Sequence, residues 1–443
     1  MKSNSIDTVL EVRLRHEPGM LAQVAAAIAE HRGLLCEIRT VRVGDEHTQR
    51  EITVETDTHD QITKIIAAIQ TLTGAEVLTT RDRVMEAHRG GKIVVESRIE
   101  LDSVRALRTI YTPGVAQIVR AIQIDPWVAA DTTWRGTSVA IVTDGSRVLG
   151  LGNVGPLASL PVMEGKAVLY RCFAGLSAVP LVLDVSSAQE LIDTATRIAP
   201  GFAAIHLEDI RSPDCFEIEA ALAKRLKKPV FHDDQHGTAT AVLAALINAA
   251  KVVGLRLDSA TIGVVGLGAA GTAIANLLGR FGVGEVLAHD PDPAAAARGA
   301  QVGARTVAAP VLYAHSDVLI AATGIPRLIP PTSIRRGQIV FALSNPEAEI
   351  APDVALSAGA ALASDGRAIN NALAFPGLMR AAIETRARTI TSDMMVAAAK
   401  AIASCAPPGE LVPSPLDLAL HEAVFAAAAR SVRETGIANT AQP

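Results

Sequence analysis

Two short acidic pairs are the residues with the clearest potential for chemistry in this sequence. Glu208 and Asp209 follow the apolar run 203–206, and Asp233 and Asp234 follow the apolar run 229–231. Both runs are predicted to be strands of a parallel sheet, and ligands of such sheets bind at the carboxyl ends of the strands. Carboxylates that converge need a cation, and hard oxygen ligands suit Mg²⁺ or Mn²⁺. The spacing alone fits acidic residues of solvated turns equally well.

A glycine-rich loop is the second feature that indicates chemistry. It lies between a predicted strand at 261–265 and a helical pattern that follows it directly. Gly266 permits a tight turn, Gly268 lets the backbone approach a pyrophosphate, and Gly271 lets the helix pack closely on the strand. The phosphate is then expected at the unpaired amides of the helix N-terminus. The residues assigned to a dinucleotide cofactor are Gly266, Gly268, Ala269, Ala270 and Gly271.

Asp290 bears on the choice between the two nicotinamide cofactors. It ends the next predicted strand, about twenty residues beyond the last glycine of the loop. A carboxylate there accepts hydrogen bonds from both ribose hydroxyls and repels a 2′-phosphate. We therefore expect NAD, with NADP less favoured. The alternative is an exposed acidic residue in the turn before Pro291.

Histidine and cysteine spacing indicates neither a zinc site nor a disulfide framework. His232 and His236 stand four residues apart, but Gly237 follows the second and no glutamate follows the first. The four cysteines lack Cys-x-x-Cys spacing and are expected to be reduced. They are Cys36, Cys172, Cys215 and Cys405.

Composition narrows the class of protein. The 443 residues allow about three domains. Lysine and arginine number 41 against 46 acidic residues, giving a net charge of −5, so neither nucleic acid nor an anionic membrane is an expected partner. Residues 1–8 lack the apolar region of a signal peptide, and no run of eighteen uncharged apolar residues occurs. We expect a cytoplasmic protein.

The first 80 residues predict a small α/β unit with the order βαββαβ, a ferredoxin-like arrangement. Alternating strands are expected near 8–15, 34–43, 51–56 and 76–80, with a helix after Gly19 and another over 60–71. With Glu17-Pro18-Gly19-Met20-Leu21 at the first turn, this unit resembles an ACT domain. The resemblance implies pairing with a second copy and an amino-acid effector. A dimerisation domain without a ligand is the alternative.

The remaining chain predicts an α/β protein with two parallel sheets, because near-continuous apolar runs alternate with helical patterns. We divide the chain into an ACT-like regulatory domain at 1–85, a catalytic α/β domain at 86–240, a Rossmann-type NAD-binding domain at 241–400 and a helical segment at 401–443. The expected strands are 138–142, 180–184, 203–206 and 229–231 in the second domain, and 261–265, 286–289, 318–321, 339–342 and 361–363 in the third.

Several ordered motifs between about residues 105 and 400 resemble the bacterial malic enzyme family. The motifs that carry the resemblance are Tyr111-Thr-Pro-Gly-Val, Thr143-Asp-Gly-Ser-Arg147, Met163-Glu-Gly-Lys166-Ala, His206-Leu-Glu208-Asp209, Phe231-His-Asp-Asp234, the glycine loop, Ser344-Asn345-Pro346 and Ile369-Asn370-Asn371. The resemblance implies that the chain oxidises L-malate with NAD(P) and a divalent metal and releases pyruvate and CO₂.

The resemblance also implies a role for individual residues. The metal ligands would be Glu208, Asp209 and Asp234. The other assignments are Lys166 as general base, Tyr111 as general acid, Arg147 on a malate carboxylate, and Asn345 and Asn371 near the nicotinamide and the substrate. An ammonium group with a pKa near about 10.4 cannot accept a proton at pH 7, so Lys166 must act in its neutral form. We expect burial and the nearby cation to lower its pKa.

Two other functions are consistent with some of these motifs. One is a different metal-dependent decarboxylating dehydrogenase or a malolactic-type enzyme, which shares the cofactor and metal but differs in substrate or product. The other is a catalytically silent sensor that binds NAD and responds to amino acids. The intact set of Lys166, Tyr111 and the three acidic ligands argues against the sensor. We expect a homodimer or a larger homo-oligomer.

Overall fold

A computed structural model describes residues 6–148 and 150–438 of the chain. The strands are β1 (Ile6–Arg15), β2 (Leu34–Val43), β3 (His47–Thr56), β4 (Ala75–Asp82), β5 (Ser138–Thr143), β6 (Ser177–Val182), β7 (Ala204–Leu207), β8 (Val230–His232), β9 (Thr261–Val265), β10 (Glu285–His289), β11 (Arg305–Thr306), β12 (Val318–Ala321), β13 (Ile339–Ala342) and β14 (Leu362–Asp365). The α-helices are α1 (Met20–Glu30), α2 (His59–Thr71), α3 (Arg83–His88), α4 (Val104–Ile110), α5 (Val115–Ile124), α6 (Val128–Thr132), α7 (Gly155–Ala174), α8 (Ala188–Ile198), α9 (Asp214–Arg225), α10 (Asp233–Val253), α11 (Ala269–Phe281), α12 (Pro293–Gln301), α13 (Ala309–His315), α14 (Pro352–Ser357), α15 (Phe375–Glu384), α16 (Ser392–Cys405) and α17 (Leu418–Thr435).

The first compact unit ends at Val94 and has the predicted βαββαβ order. Its strands form an antiparallel sheet in the order β2-β3-β1-β4. Gly19, with φ of 89°, precedes α1, and Thr58 caps α2 by accepting a hydrogen bond from the Gln61 amide. Apolar residues of both helices cover one face of the sheet and form the core of the unit. The ferredoxin-like prediction is confirmed.

The second compact unit begins at Val95 and contains two parallel sheets. The smaller sheet has the order β6-β5-β7-β8, and every residue of β5 is buried. The larger sheet has the order β11-β10-β9-β12-β13-β14, the doubly wound arrangement of a Rossmann-type domain. The prediction of two parallel sheets is confirmed.

Helix α10 joins the two sheets through one continuous core. The core contains Ile141 of the smaller sheet, Val264 of the larger sheet and Leu246 of α10. By length and composition α10 could cross a membrane, but 61% of its most apolar window is buried inside the structure. Its hydrophobicity is therefore that of a helix in the protein interior.

The predicted domain limits fall inside helices of the structure. The 85/86 limit lies in α3, the 240/241 limit lies in α10 and the 400/401 limit lies in α16. The first compact unit extends to Val94 instead of ending at residue 85. The division of the second unit into catalytic, NAD-binding and C-terminal parts stays a prediction, with α10 shared by the first two.

Candidate active site

The acidic pairs lie at the carboxyl ends of two neighbouring parallel strands. Glu208 and Asp209 follow β7, while Asp233 and Asp234 begin α10 directly after β8. Because β7 and β8 pair in parallel, the ends of both strands lie at the same edge of the smaller sheet. The sequence therefore brings the carboxylates together through strand pairing.

Three of these carboxylates converge on one point. Ligand oxygens of Glu208, Asp209 and Asp234 lie within 4.8 Å of one another. The Asp209 amide donates to Asp234 Oδ2 over 3.1 Å, and the Asp209 carbonyl accepts from the Arg147 amide over 3.0 Å. Asp209 has φ of 53°, a left-handed conformation that few residues other than glycine adopt. These hydrogen bonds maintain a backbone bend that is otherwise unfavourable.

The electrostatics of the cluster fit a hard divalent cation. Burial raises the pKa of Glu208, and burial together with the charge of Glu208 raises the pKa of Asp234. Neighbouring Asp233 Oδ1 is buried and has no hydrogen-bond partner among the described residues. Carboxylates that are costly to ionise together are stabilised by an ion of opposite charge, and this donor set consists only of oxygen.

Lys166 lies beside the carboxylates, on the buried face of α7. Its Nζ is 3.2 Å from Glu208 Oε1, forms an ion pair with Asp233 and lies 4.8 Å from the centre of the Phe375 ring. Only 8% of the residue is exposed. The amine thus lies in an enclosed pocket with carboxylates on one side and an aromatic ring on another.

The carboxylates around Lys166 act against the expected lowering of its pKa. Burial lowers the pKa of Lys166, but the charges of Asp233 and Glu208 outweigh it and hold the pKa above its ordinary value. The expectation counted burial and a cation but omitted the ion pair with Asp233. At neutral pH this lysine is charged unless the negative charge around it is reduced.

Asp233 is a site residue that the sequence analysis did not assign. It is adjacent to Asp234 in the first turn of α10, where consecutive side chains point about 100° apart around the helix axis. Asp234 therefore joins the three-carboxylate cluster, while Asp233 forms the ion pair with Lys166. The sequence shows that the two aspartates are adjacent. Only the helix shows that their side chains have different partners.

A second missed group is a buried chain of hydrogen bonds behind Glu208. Tyr170 Oη lies 2.7 Å from His206 Nδ1, and His206 Nε2 lies 2.6 Å from Glu208 Oε2. Burial lowers the pKa of His206 to about 3, so the ring is neutral, and we assign the Nε2 proton as donated to the carboxylate. His206 and Glu208 are two residues apart on an extended segment and share one face, a signal that the sequence contained.

The loop after β5 carries Arg147 to the Rossmann-type part of the unit. If residue 324 had a side chain, its Cβ would lie only 2.9 Å from Arg147 Nη2. The Arg147 guanidinium therefore packs directly against Gly324. A side-chain carbon at Gly150 would lie 2.9 Å from the Asn345 carbonyl oxygen. The loops that bear Arg147 and Asn345 are therefore in contact.

Buried Glu349 fixes the loop that carries Asn345. Its carboxylate accepts the amide protons of Thr323 at 2.7 Å and Ser344 at 3.1 Å, and it also accepts both of their hydroxyl protons. Asn345 follows Ser344 directly and is exposed. The Glu349 carboxylate thus links the segment after β12 to the segment after β13.

Asn371 approaches the acidic end of α10, whereas Tyr111 does not reach the site. A side-chain carbon at Gly237 would lie 3.1 Å from Asn371 Cβ. Tyr111 is the C-cap residue of α4 and is 66% exposed, and no hydrogen bond joins it to Lys166 within the described residues. Lys166 and Asn371 thus lie beside the acidic end of α10, and the Arg147 backbone is bonded to Asp209, whereas the structure shows Asn345 only on the neighbouring loop.

The glycine loop has the geometry that its spacing predicts. Gly266 has φ of 88°, and Gly268 is the N-cap of α11 without a side-chain cap, so the first amides of the helix are available to a phosphate. A side-chain carbon at Gly271 would collide with the Gly266 carbonyl oxygen. Asp290 Oδ2 accepts a hydrogen bond from the Leu267 amide over 2.7 Å, which fixes the carboxylate beside the loop.

The two histidines of the pair differ in their contacts. His236 Nε2 lies 2.9 Å from Glu219 Oε1, and the charge of Glu219 raises the pKa of His236 against the opposing effect of burial. His232 is buried among apolar and acidic neighbours, and its ring nitrogens have no hydrogen-bond partner in the described part of the chain. The expectation that the pair binds no zinc stays a prediction.

Comparison with known protein families assigns most of the chain. Residues 91–191 match the malic enzyme N-terminal domain, and residues 365–417 match the malic enzyme NAD-binding domain. Residues 2–77 match an ACT domain. Residues 226–326, which include the glycine loop, match the NAD-binding domain of D-isomer specific 2-hydroxyacid dehydrogenases.

Similarity to curated proteins extends over nearly the whole chain. NAD-dependent malic enzyme 1 of Bacillus subtilis is 48% identical over 412 residues, which cover 93% of this chain and 94% of that protein. The chain belongs to the malic enzyme family. The NAD-dependent malic enzyme of Geobacillus stearothermophilus is 38% identical over 97% of this chain and 95% of its own length.

A solved structure supports the same family at the level of the fold. The crystal structure of malic enzyme from Pyrococcus horikoshii has a TM-score of 0.76 and 39% identity, covering 81% of this chain and 92% of that one. The predicted family, the ACT domain and the NAD-binding fold are confirmed. The roles of individual site residues stay predictions.

Proposed function

We propose that this chain catalyses the oxidative decarboxylation of L-malate to pyruvate and CO₂ with reduction of NAD. The observation that carries the proposal is the position of Lys166, whose amine lies 3.2 Å from Glu208 Oε1 within a cluster of buried carboxylates. A lysine in that position is suited to proton transfer beside a cation, and family membership supplies the reaction class.

The residues proposed to hold the metal and the substrate have the required chemistry. Glu208, Asp209 and Asp234 would bind Mg²⁺ or Mn²⁺, which when bound supplies Lewis acidity toward the malate hydroxyl and the keto oxygen derived from it. The glycine loop would hold NAD, which when bound supplies an acceptor for the hydride of malate C2. The planar guanidinium of Arg147 can hold both oxygens of one malate carboxylate.

Proton transfer would be carried out by Lys166 and Tyr111. Neutral Lys166 would take the hydroxyl proton as C2 loses its hydride, and Asp233 would stabilise the resulting ammonium group. As CO₂ leaves, the Lys166 ammonium group would return its proton to the oxygen and so form an enol. Tyr111 would then donate a proton to C3 while Lys166 takes back the enol proton. Asn345 and Asn371 would position the nicotinamide and the substrate at the junction of the two sheets.

Product analysis tests the proposal against its alternatives. Purified protein with L-malate, NAD and Mn²⁺ should form NADH and pyruvate in equal amounts. Lactate without accumulation of NADH would instead identify a malolactic enzyme. Absence of any turnover, with NAD binding retained, would identify a silent sensor.

We propose NAD as the preferred cofactor, with Asp290 as the residue that selects it. Asp290→Asn keeps an acceptor for the Leu267 amide but removes the charge, so kcat/KM for NAD should fall about tenfold, the usual effect of losing a hydrogen bond to a charged group. The value of kcat/KM for NADP should fall less than that for NAD, or it should rise. Steady-state kinetics with both cofactors measure this, with Asp292→Asn at the N-cap of α12 as the control. A wild-type preference for NADP would refute the assignment.

We propose a homodimer in which a second copy completes the active site with Tyr111. Tyr111 is 66% exposed, and α4 and α5 around it present several exposed apolar side chains to solvent. Such a surface is expected at an interface between subunits. The exposed apolar residues of these helices are Val104, Leu107, Ile110, Val115, Val119 and Ile124.

Mixing two inactive variants tests the shared site. Tyr111→Phe and Lys166→Ala are each expected to be inactive. If sites combine Tyr111 of one subunit with Lys166 of the other, random reassociation restores about a quarter of wild-type activity, since half of the dimers are mixed and one of their two sites is intact. No recovery after verified subunit exchange would place both residues in one chain.

We also propose that the enzyme is cytoplasmic.

We propose further that the ACT domain binds an amino-acid effector. β2 lies at one end of the antiparallel sheet, where Leu34, Ile38 and Val41 are exposed, as expected for a surface that packs on a second copy. Titration with the twenty amino acids should raise the melting temperature and change malate turnover for at least one of them. If none alters either quantity, the domain serves dimerisation without a ligand.

A further inference from the structure

A cavity of about 530 Å³ lies at the end of the smaller sheet opposite the candidate active site. Its walls include Gly136, which precedes β5, Ala203, which precedes β7, and Pro229, which precedes β8. The amino ends of the strands therefore face the cavity, whereas the acidic cluster follows their carboxyl ends. The volume is in the range of small-molecule binding sites.

Two partly buried cations in the wall have no anionic partner among the described residues. Arg135 Nε donates to the Pro200 carbonyl over 3.0 Å, and Lys228 Nζ donates to the carbonyls of Ala199 at 2.5 Å and Phe202 at 2.7 Å. Neither Arg135 nor Lys228 forms an ion pair with any described residue, and no acidic group shifts the pKa of either. A lysine has three donor protons, so one proton of Lys228 remains for a further acceptor.

The two cations disfavour each other in the absence of an anion. Burial and the charge of Arg135 lower the pKa of Lys228 to about 8, and burial lowers the pKa of Arg135. Holding like charges together in a partly desolvated site is costly unless an opposite charge binds between them. The cavity thus has a defined chemical preference for an anion.

The other charged residues of the wall are two cations and two anions. Lys227 and Arg386 add positive charge, and Asp131 and Glu384 add negative charge. Glu384 already accepts a hydrogen bond from Arg380 over 2.7 Å, so its charge is offset outside the cavity. The Arg386 guanidinium lies 4.6 Å from the centre of the Trp127 ring, and that ring forms an aromatic part of the wall.

We propose that this cavity is a binding site for a small molecule with at least two negative charges on carboxylate or phosphate groups, distinct from the malate site. Arg135 offers its remaining guanidinium donors, and Lys228 offers its third proton. One anionic group on each cation accounts for the requirement of two charges. A monovalent or neutral molecule of the same size would leave one cation uncompensated.

Tryptophan fluorescence provides a direct test. The chain contains two tryptophans, Trp127 and Trp134, so Trp134→Phe leaves the cavity residue as the only tryptophan. Sodium citrate and inorganic phosphate serve as the carboxylate and phosphate probes, titrated against sodium chloride of equal ionic strength. We expect a saturable change with one or both probes and none with chloride, and the responding probe identifies the anionic group.

Variants establish the location of the bound anion. In the Trp134→Phe background, Arg135→Gln and Lys228→Met should each raise Kd about tenfold or more, the usual effect of losing a charge-assisted hydrogen bond. Arg280→Gln, an exposed position on α11, should leave Kd unchanged, as should Arg147→Gln at the proposed malate site. Thermal melts confirm that each variant is folded.

Three results would overturn the proposal. The first is the absence of a saturable response to either probe. The second is a response that persists unchanged in both folded cavity variants, Arg135→Gln and Lys228→Met. The third is a response lost in Arg147→Gln, which would place the anion at the malate site. Because binding is measured without turnover, failure here is distinguishable from failure of the proposed malic enzyme activity.

Discussion

Replacing Lys166 by alanine is expected to lower kcat for malate oxidation about 10³-fold while NAD still binds. The magnitude follows from the loss of a positioned proton acceptor, which contributes about 10²–10⁴-fold. The amine is 3.2 Å from Glu208 Oε1 and is paired with Asp233, whereas the glycine loop belongs to the larger sheet. Steady-state turnover and NAD titration measure the two effects separately.

Stability must be measured alongside activity, because the substitution leaves buried carboxylates without their cation. Breaking a buried ion pair costs about 3–5 kcal/mol, so the melting temperature should fall unless a bound divalent ion compensates. Lys251→Ala, at an exposed position in the last turn of α10, is the matched control and should retain wild-type turnover. Small primary amines should restore part of the lost rate. Near wild-type kcat in folded Lys166→Ala would eliminate the general-base role.

Replacing Asp234 by asparagine should weaken Mn²⁺ binding about 100-fold or more and reduce malate turnover in proportion at low metal. The asparagine keeps an oxygen that can accept the Asp209 amide proton, so the backbone bend at Asp209 is retained while one negative charge is lost. Three carboxylates within 4.8 Å of one another then become two, and the attraction for a divalent ion falls. Calorimetric titration with Mn²⁺ measures the affinity without turnover.

The control for this substitution removes a carboxylate that takes no part in the cluster. Asp258→Asn lies in a surface ion pair with Arg256 at 2.8 Å and should leave Mn²⁺ affinity unchanged. High Mn²⁺ should restore part of the Asp234→Asn activity. Unchanged Mn²⁺ affinity in Asp234→Asn would remove Asp234 from the ligand set, whatever the effect on turnover.

Strand pairing explains why so much of the site could be predicted from the sequence. Apolar runs that end in polar residues mark the carboxyl ends of parallel strands, and β7 and β8 bring Glu208 and Asp234 together because they are neighbours. The spacing within the glycine loop likewise specifies a strand, a tight turn and a helix. In both places a local pattern determines the geometry.

Properties that depend on several elements at once could not be predicted in the same way. The Lys166 pKa, which burial lowers, is raised by Glu208 and by Asp233, a residue 67 positions away that α10 turns toward the amine. The link from Tyr170 through His206 to Glu208 joins α7 to β7. Spacing along the chain contains no information about which of two adjacent aspartates faces a lysine on another helix.

Tyr111 illustrates a different limit of sequence patterns. Its motif indicates a proton donor, yet the side chain is 66% exposed at the end of α4. A family motif encodes the residues of a working site but not the subunit from which each residue comes. The proposed contribution of a second copy reconciles the motif with the exposed position.

The central claim is that one site oxidises malate and then releases its β-carboxylate. The most direct measurement uses L-malate labelled with ¹³C at C4, together with the full chain, NAD and Mn²⁺. Labelled CO₂, unlabelled pyruvate and NADH should appear in equal amounts, and removal of the metal by a chelator should stop all three. NADH without labelled CO₂, or labelled CO₂ with lactate and no NADH, would contradict the account.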